Sequence, residues 1–409
     1  MTAAQRRVGL YLAVVQFFFA LTWTVYVIFL PQLAAQAGIA KEAVIWILML
    51  DQLIFVFSDY AMGVAADRSA RIVGRVANMV LLVTLLSCAA FLALPLVAPQ
   101  HSAGAFIVLV ALWAASSSAL RAPPLALVGR HAALPSQPWL VALSLFGLGL
   151  ANALAPYLGV ALRGVDPRLP FILSSVALAA VTLGIVAAER ALARSSAAPA
   201  AAAPAAPTVS ESRARLAAAP ALVIFIVAAV LVSVAFQGHV FLNTSPLYLK
   251  FAPPADLQYL VPVFWVGFNL LLMPAGALTR RAGGWRVMAI GALAAAAAAV
   301  MTVEATSLRI LVTMQFVAGG AWACVLMSAF STALAIGHTG REGTTSGALS
   351  SVLALGALVR MAAIAAALRN DASWQPVLTW LPAIAWIGGG ALLLATWRAM
   401  KGPRPTSSD

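Results

Sequence analysis

Residues 63–71 read GVAADRSAR: a glycine, an acid and two arginines set down where a long apolar run ends. Before them lies VIWILMLDQLIFVFSDYAM (44–62), and a second apolar run begins at about residue 73. The solvent around those runs decides what the polar stretch is. Of the 409 residues 63% are hydrophobic and 9% charged, whereas soluble domains carry ~25% charged residues. That solvent is therefore lipid. Apolar runs of about 20 residues, enough to cross a hydrocarbon core of ~30 Å at ~1.5 Å per residue, recur along the whole chain. Twelve spans are expected, at 9–35, 43–66, 73–97, 103–128, 138–162, 168–189, 219–248, 256–279, 285–305, 308–336, 343–368 and 375–399. Residues 63–71 then join the second span to the third in an all-α membrane protein.

The formal net charge of +13 follows from where the cations sit. With the N-terminus inside, seventeen of the 25 Lys and Arg residues, among them Arg6, Arg7, Arg68, Arg71, Arg280 and Arg281, fall in inside loops, and six fall outside. The positive-inside rule places both termini in the cytoplasm, as in a bacterial inner membrane, and accounts for the basicity without a nucleic-acid partner. LAAQAG (33–38) has the look of a leader cleavage site, but the apolar run before it exceeds a signal-peptide core, so the first span is expected to be retained. Cys88 and Cys324 both fall within spans, which indicates no disulfide framework.

Between Glu189 and Pro220 the chain reads RALARSSAAPAAAAPAAPTVSESRARLAAAP, an Ala-, Pro- and Ser-rich linker. The expected organisation is a first bundle over 1–190, a cytoplasmic linker over 191–218 and a second bundle over 219–409. The halves match at nearly fixed offsets. Ala20 and Pro31 correspond to Ala235 and Pro246, Gly63 to Gly276, and Trp113 with Leu125 to Trp322 with Leu334. ALS at 142–144 with ALR at 161–163 corresponds to 348–350 and 367–369. Six spans per half make this a parallel repeat about an axis along the membrane normal.

With these features in hand, the chain resembles the major facilitator superfamily of transporters. That family carries GxxxDRxGRR between spans 2 and 3; Gly63, Asp67, Arg68 and Arg71 match it, with Ala70 in place of the second glycine. A second copy, GALTRRAGG (276–284), matches at Gly276, Arg281 and Gly283, with Arg280 at the acidic position. The resemblance implies two six-helix bundles related by a pseudo-two-fold axis, alternating access, and an inner gate held shut by contact of this loop with span 11. Physical chemistry agrees: Gly63 permits close helix approach, and Asp67 is placed to meet a helix N-terminus or a basic side chain.

Five ionisable groups lie well inside spans, away from their ends: Asp51 and Asp59 (span 2), Arg121 (span 4), His239 (span 7) and Arg360 (span 11). A charge at mid-membrane costs at least ~2.5 kcal/mol unless it is paired or in water. Asp51 and Arg360 each lie about eight residues, ~12 Å, from the outer end of their spans. In the family those spans face each other, so a salt bridge is expected that closes the outer side and breaks when the halves rock apart; the alternative is that each is satisfied within its own half. Asp59, rotated by ~80° from Asp51, gives DYAMGVAADR, which resembles the melibiose-type glycoside and cation symporters, where an acid here helps bind the coupling ion. Their second span-2 acid would fall at Phe55 and their span-4 acid near Ala122, so a sodium site of several carboxylates is incomplete and a proton is favoured. Arg121, at similar depth, offers Asp59 an ion pair that would make both structural.

The family's cavity is lined by spans 1, 4, 7 and 10. This implies substrate-facing positions at Thr22, Trp23, Tyr26, Gln32, Trp113, Gln237, Asn243, Gln315 and Trp322, with His239 beside them. GLGLANALAPYLG (147–159) resembles the GPxxGG element of proton-driven exporters at Ala155, Pro156 and Gly159. No Walker loop, zinc spacing or nucleophile elbow occurs, so neither an ATP-driven pump nor a hydrolase is indicated. Three functions fit: a proton-coupled transporter of a small organic solute, anionic if Arg121 and Arg360 contact it; an exporter of amphipathic compounds; and a non-transporting receptor or scaffold of the same fold. No metal or cofactor is expected beyond a transmembrane proton gradient. The protein is expected to work as a monomer in the bilayer.

Overall fold

The computed structural model describes residues 2–70, 72–195, 209–338 and 340–401. Among them are twelve helices long and apolar enough to span a membrane. Spans 1–6 are Ala3–Gln36, Lys41–Ser69, Arg75–Gln100, Ala103–His131, Leu134–Ala161 and Arg168–Arg194. Spans 7–12 are Ala221–Tyr248, Pro254–Ala282, Gly284–Val303, Leu308–Ile336, Glu342–Ala365 and Gln375–Met400. Most helices outrun their apolar runs, because backbone hydrogen bonding carries them past the hydrocarbon edge. The segment read as a linker, 191–218, is helical at both described ends, within Ile185–Ser195 and Val209–Gln237.

An even number of spans brings both ends of the chain to one side, here termed the terminal face; the other is the far face. Spans 1–6 pack as one bundle, with span 1 against 5 and 6 and span 3 against 4 and 6. Spans 7–12 repeat the plan, with span 7 against 11 and 12 and span 9 against 10 and 12. The halves meet along two seams, span 2 on span 11 and span 5 on span 8. Glycine permits the first: a Cβ at Gly63 would overlap the Gly343 carbonyl and crowd the Cα of Gly347. Leu82, Val108, Leu173 and Ile384, exposed on the outside of the bundles, are the side chains lipid would cover. Cys88 and Cys324 are free thiols.

Three local irregularities place polar groups inside. Span 4 breaks at Ser118–Leu120 and restarts at Pro123 and Pro124. Proline has no N–H, so Pro124 leaves the Leu120 carbonyl without its helical donor; Gln16 of span 1 donates to it instead, at 2.7 Å. Pro382 does the same to Leu378 in span 12, whose carbonyl receives Asn243 Nδ2–H at 3.0 Å. Span 7 contains a π-helical segment, Gly238–Asn243, a geometry concentrated at functional sites.

Candidate gate and transport site

At the terminal face Asp67 ends span 2 beside the start of span 11. Its Oδ1 accepts the Gly343 N–H at 2.8 Å, and its Oδ2 accepts the Thr344 N–H at 2.7 Å and the Thr344 hydroxyl at 2.6 Å. Span 11 has no side-chain cap from its own N-cap residue, Arg341, so the carboxylate of one half caps a helix of the other. Anion, N–H donors and helix dipole all favour that contact. Arg68 is exposed, and Arg71 lies outside the described residues. The second motif copy makes no such latch. Gly276 lies against Pro138 and Ala142 of span 5, while Arg280 and Arg281 are exposed.

Deeper in span 2, Asp59 is fully buried and pairs with Arg121, Oδ2 to Nε 2.9 Å. The Arg121 guanidinium also sits over Phe55, 4.5 Å from the ring centre, and Ser58 and Ser118 hydrogen-bond beside it at 2.7 Å. Of the two roles open to Asp59, this geometry is the paired one.

Asp51 is fully buried as well, and its surroundings differ. Tyr26 Oη–H donates to Oδ2 at 2.8 Å, and Oδ1 has no partner. Around them lie Trp23, Phe55 and Trp113, with the Tyr26 and Trp113 ring centres 4.4 Å apart. The bridge to Arg360 expected from depth is not formed in this conformation. Arg360 instead stacks on Phe241, 4.6 Å from the ring centre, with Nε unpartnered. Equal depth fixes height and not azimuth, and here Tyr26, on the adjacent span of the same half, takes the carboxylate. The repeat register makes Phe241 the counterpart of Tyr26, so each charge rests on the same ring position of its own half.

In the second half His239, in the π-helical segment, meets Gln315. Its Nε2 lies 3.1 Å from Oε1, Gln315 Nε2–H donates to Thr244 Oγ1 at 3.1 Å, and Thr244 Oγ1–H donates to the His239 carbonyl at 2.8 Å. With the amide NH₂ facing Thr244, Oε1 is the acceptor and His239 Nε2 carries the proton. Gln237 Oε1 is buried without a partner.

The remaining positions named for a cavity are differently employed. Thr22 donates to Phe19 in its own helix, and Asn243 is tied to span 12 through Leu378 and Thr379. Trp322 is buried in a stack on Phe236, ring centres 4.2 Å apart, and Trp113 is buried among rings. Gln32 lines a separate cavity of about 380 Å³ toward the far face, with Pro95 and Arg168. In this conformation Thr22, Trp113 and Trp322 are engaged within their own halves, whereas Gln32 and Asn243 line two separate cavities of about 380 and 320 Å³ toward the far face.

Three groups escaped the sequence reading. Gln16 and Thr344 are ordinary polar residues in apolar runs, and nothing in sequence says which distant carbonyl or carboxylate they reach. Glu189, which marked the edge of the linker, is buried. It accepts the Ala77 N–H at 3.0 Å and lies 3.8 Å from His131 Nε2, thereby capping span 3. Its signal was legible, since it is the one acid within spans 3 to 6. Among the described residues no three His, Cys, Asp or Glu side chains gather as a metal site would require.

Two six-helix halves meet along spans 2–11 and 5–8 and are tied at one end by a carboxylate on a helix N-terminus, the frame of a membrane transporter. The Major Facilitator Superfamily model matches residues 12–361, and the chain belongs to that family. Among curated proteins none matches by sequence. Similar solved structures include the human organic anion transporter MFSD10 (TETRAN), at 15% identity and a TM-score of 0.68, covering 97% of this chain and 99% of that one. The E. coli fucose:proton symporter FucP gives 15%, 0.65, 95% and 98%. An outward-facing bacterial homologue of the iron transporter ferroportin gives 12%, 0.73, 96% and 99%. At these identities the likeness is one of fold.

Proposed function

We propose that the protein carries a small organic anion across the membrane by alternating access, coupled to a proton, with its terminal face in the cytoplasm of a bacterial cell. The observation that carries this reading is the asymmetry between the two ends of the span 2–span 11 seam. Asp67 joins the halves at the terminal face, while toward the far face Asp51 and Arg360 each stay within their own half. This supports a state closed inside, from which the latch must break for the halves 1–190 and 219–409 to rock. The excess of cations at the terminal face supports the orientation.

Arg360 is the group suited to an anionic solute. Its guanidinium has an aromatic face beneath it and a free Nε, whereas Arg121 is already neutralised by Asp59. Asp51 is the group suited to a coupling proton. It has one hydroxyl donor, a free Oδ1 and no ion-pair partner, so it can gain or lose a proton without breaking a salt bridge. Asp59 cannot. A proton symporter among the similar folds is compatible with this assignment. Two measurements test the reading. Thermal shift of purified protein against a panel of organic acids finds a stabilising ligand, since whatever binds the folded state stabilises it, and Arg360→Gln removes the shift. In proteoliposomes, uptake of that ligand loses its pH dependence in Asp51→Asn and keeps it in Asp59→Asn; the reverse pattern refutes the assignment.

A further inference from the structure

The start of span 9 lies at the terminal-face end of the span 5–span 8 seam. The repeat sets up an internal comparison. Gly74 begins span 3 with φ +90°, and Gly283, 209 positions on, begins span 9 with φ +83°. In the first half Glu189 from span 6 reaches the opening turn of span 3 and accepts an N–H there. In the second half the corresponding span 12 contains no Asp or Glu. Span 9, twenty residues long, has neither a side-chain cap nor an acid in its first turn. One helix start thus has its anion built in, and its counterpart has none.

That counterpart opens on a cavity of about 530 Å³ at the terminal face. Its wall includes Gly284 and Trp285 of the first turn, Arg280, Ser331 and Thr332, and none of its lining residues is acidic. Thr332 is 5% exposed, and its hydroxyl has no hydrogen-bond partner. A Cβ at position 284 would overlap that hydroxyl, so glycine keeps helix start and hydroxyl side by side. Leu134, Pro135 and Ile336 form an apolar flank. Free N–H groups, an arginine and an unpaired hydroxyl at one pole, next to apolar wall, are the chemistry that holds a phosphate.

We propose that this cavity is a phosphate-oxyanion site, filled by the headgroup of an anionic lipid or by phosphate from the aqueous phase. The full-length protein is placed in nanodiscs of phosphatidylcholine with and without phosphatidylglycerol, and retained lipid is counted by native mass spectrometry. In parallel, its melting in detergent is followed as inorganic phosphate replaces chloride. Retained phosphatidylglycerol, bound about tenfold more weakly after Arg280→Gln or Thr332→Val and unchanged after Arg281→Gln, identifies a lipid site. Stabilisation by phosphate, lost in the same two variants without retained lipid, identifies a site for the free ion. Thr332→Ser keeps the hydroxyl and must bind as the parent does, which separates loss of the site from loss of the fold. Binding of neither probe, or binding that the Arg280 and Thr332 variants leave unchanged, overturns the proposal.

Discussion

Replacing Asp67 by alanine removes all three hydrogen bonds that tie span 2 to the start of span 11. Loss of an N-cap acceptor costs ~0.5–2 kcal/mol, and loss of an anion from a helix N-terminus ~0.3–1 kcal/mol. The carboxylate is half-buried, so a combined loss of about 1.5–2 kcal/mol is reasonable, a shift of about 10- to 30-fold in the closed-to-open ratio. Asp67→Asn keeps a capping oxygen and loses only the charge, so its shift should be about 2- to 5-fold. Spin labels at Arg190 and Arg398, exposed on spans 6 and 12, report the opening as a rise in the long-distance population by double electron–electron resonance, in a background lacking Cys88 and Cys324. Raising the salt concentration should shrink the difference between the parent and Asp67→Asn, since only the charge is screened. Equal distance distributions in the parent and Asp67→Ala would refute the latch.

Three further outcomes are expected. Gly63→Leu places a side chain into the Gly343 carbonyl, so it should hold the terminal face open and lower stability by ~1–3 kcal/mol, read as a lowered melting temperature and as long distances between the same labels. Arg121→Gln strands the buried Asp59 charge and should cost ~3–5 kcal/mol; adding Asp59→Asn should recover most of the melting temperature, and failure to recover it would deny the pairing. Gln16→Leu leaves the Leu120 carbonyl without a donor and should cost ~1–3 kcal/mol, again by thermal melting, whereas Gln16→Glu should be worse because it sets a carboxylate against that carbonyl.

How far the sequence can be read depends on whether a property is one-dimensional. Span number and class follow from hydrophobicity, which each segment declares by itself. The Asp67 contact was legible through the family resemblance, whose loop motif, matched at Gly63, Asp67, Arg68 and Arg71, implies a meeting with span 11; the residues alone said only that the acid would meet a helix N-terminus or a basic side chain. Asp51 shows the opposite. Its depth was readable, but its partner depends on the rotation of span 2 against span 1, and Tyr26 wins over Arg360 through side-chain geometry that no spacing encodes. Pro124 and Pro382 orphan the carbonyls of Leu120 and Leu378 by chain position alone, but that Gln16 and Asn243 satisfy them depends on how the helices pack.

The most direct test of alternating access measures both ends of the molecule in one preparation. Labels at Arg190 and Arg398 span the terminal face, and labels at Glu42 and Asn370, exposed near the far ends of spans 2 and 11, span the other. If the halves rock about the seam, Asp67→Ala lengthens the first distance and shortens the second. If both lengthen together, or the far-face distance stays fixed while the terminal face opens, the two halves do not exchange access and the rocking mechanism is wrong.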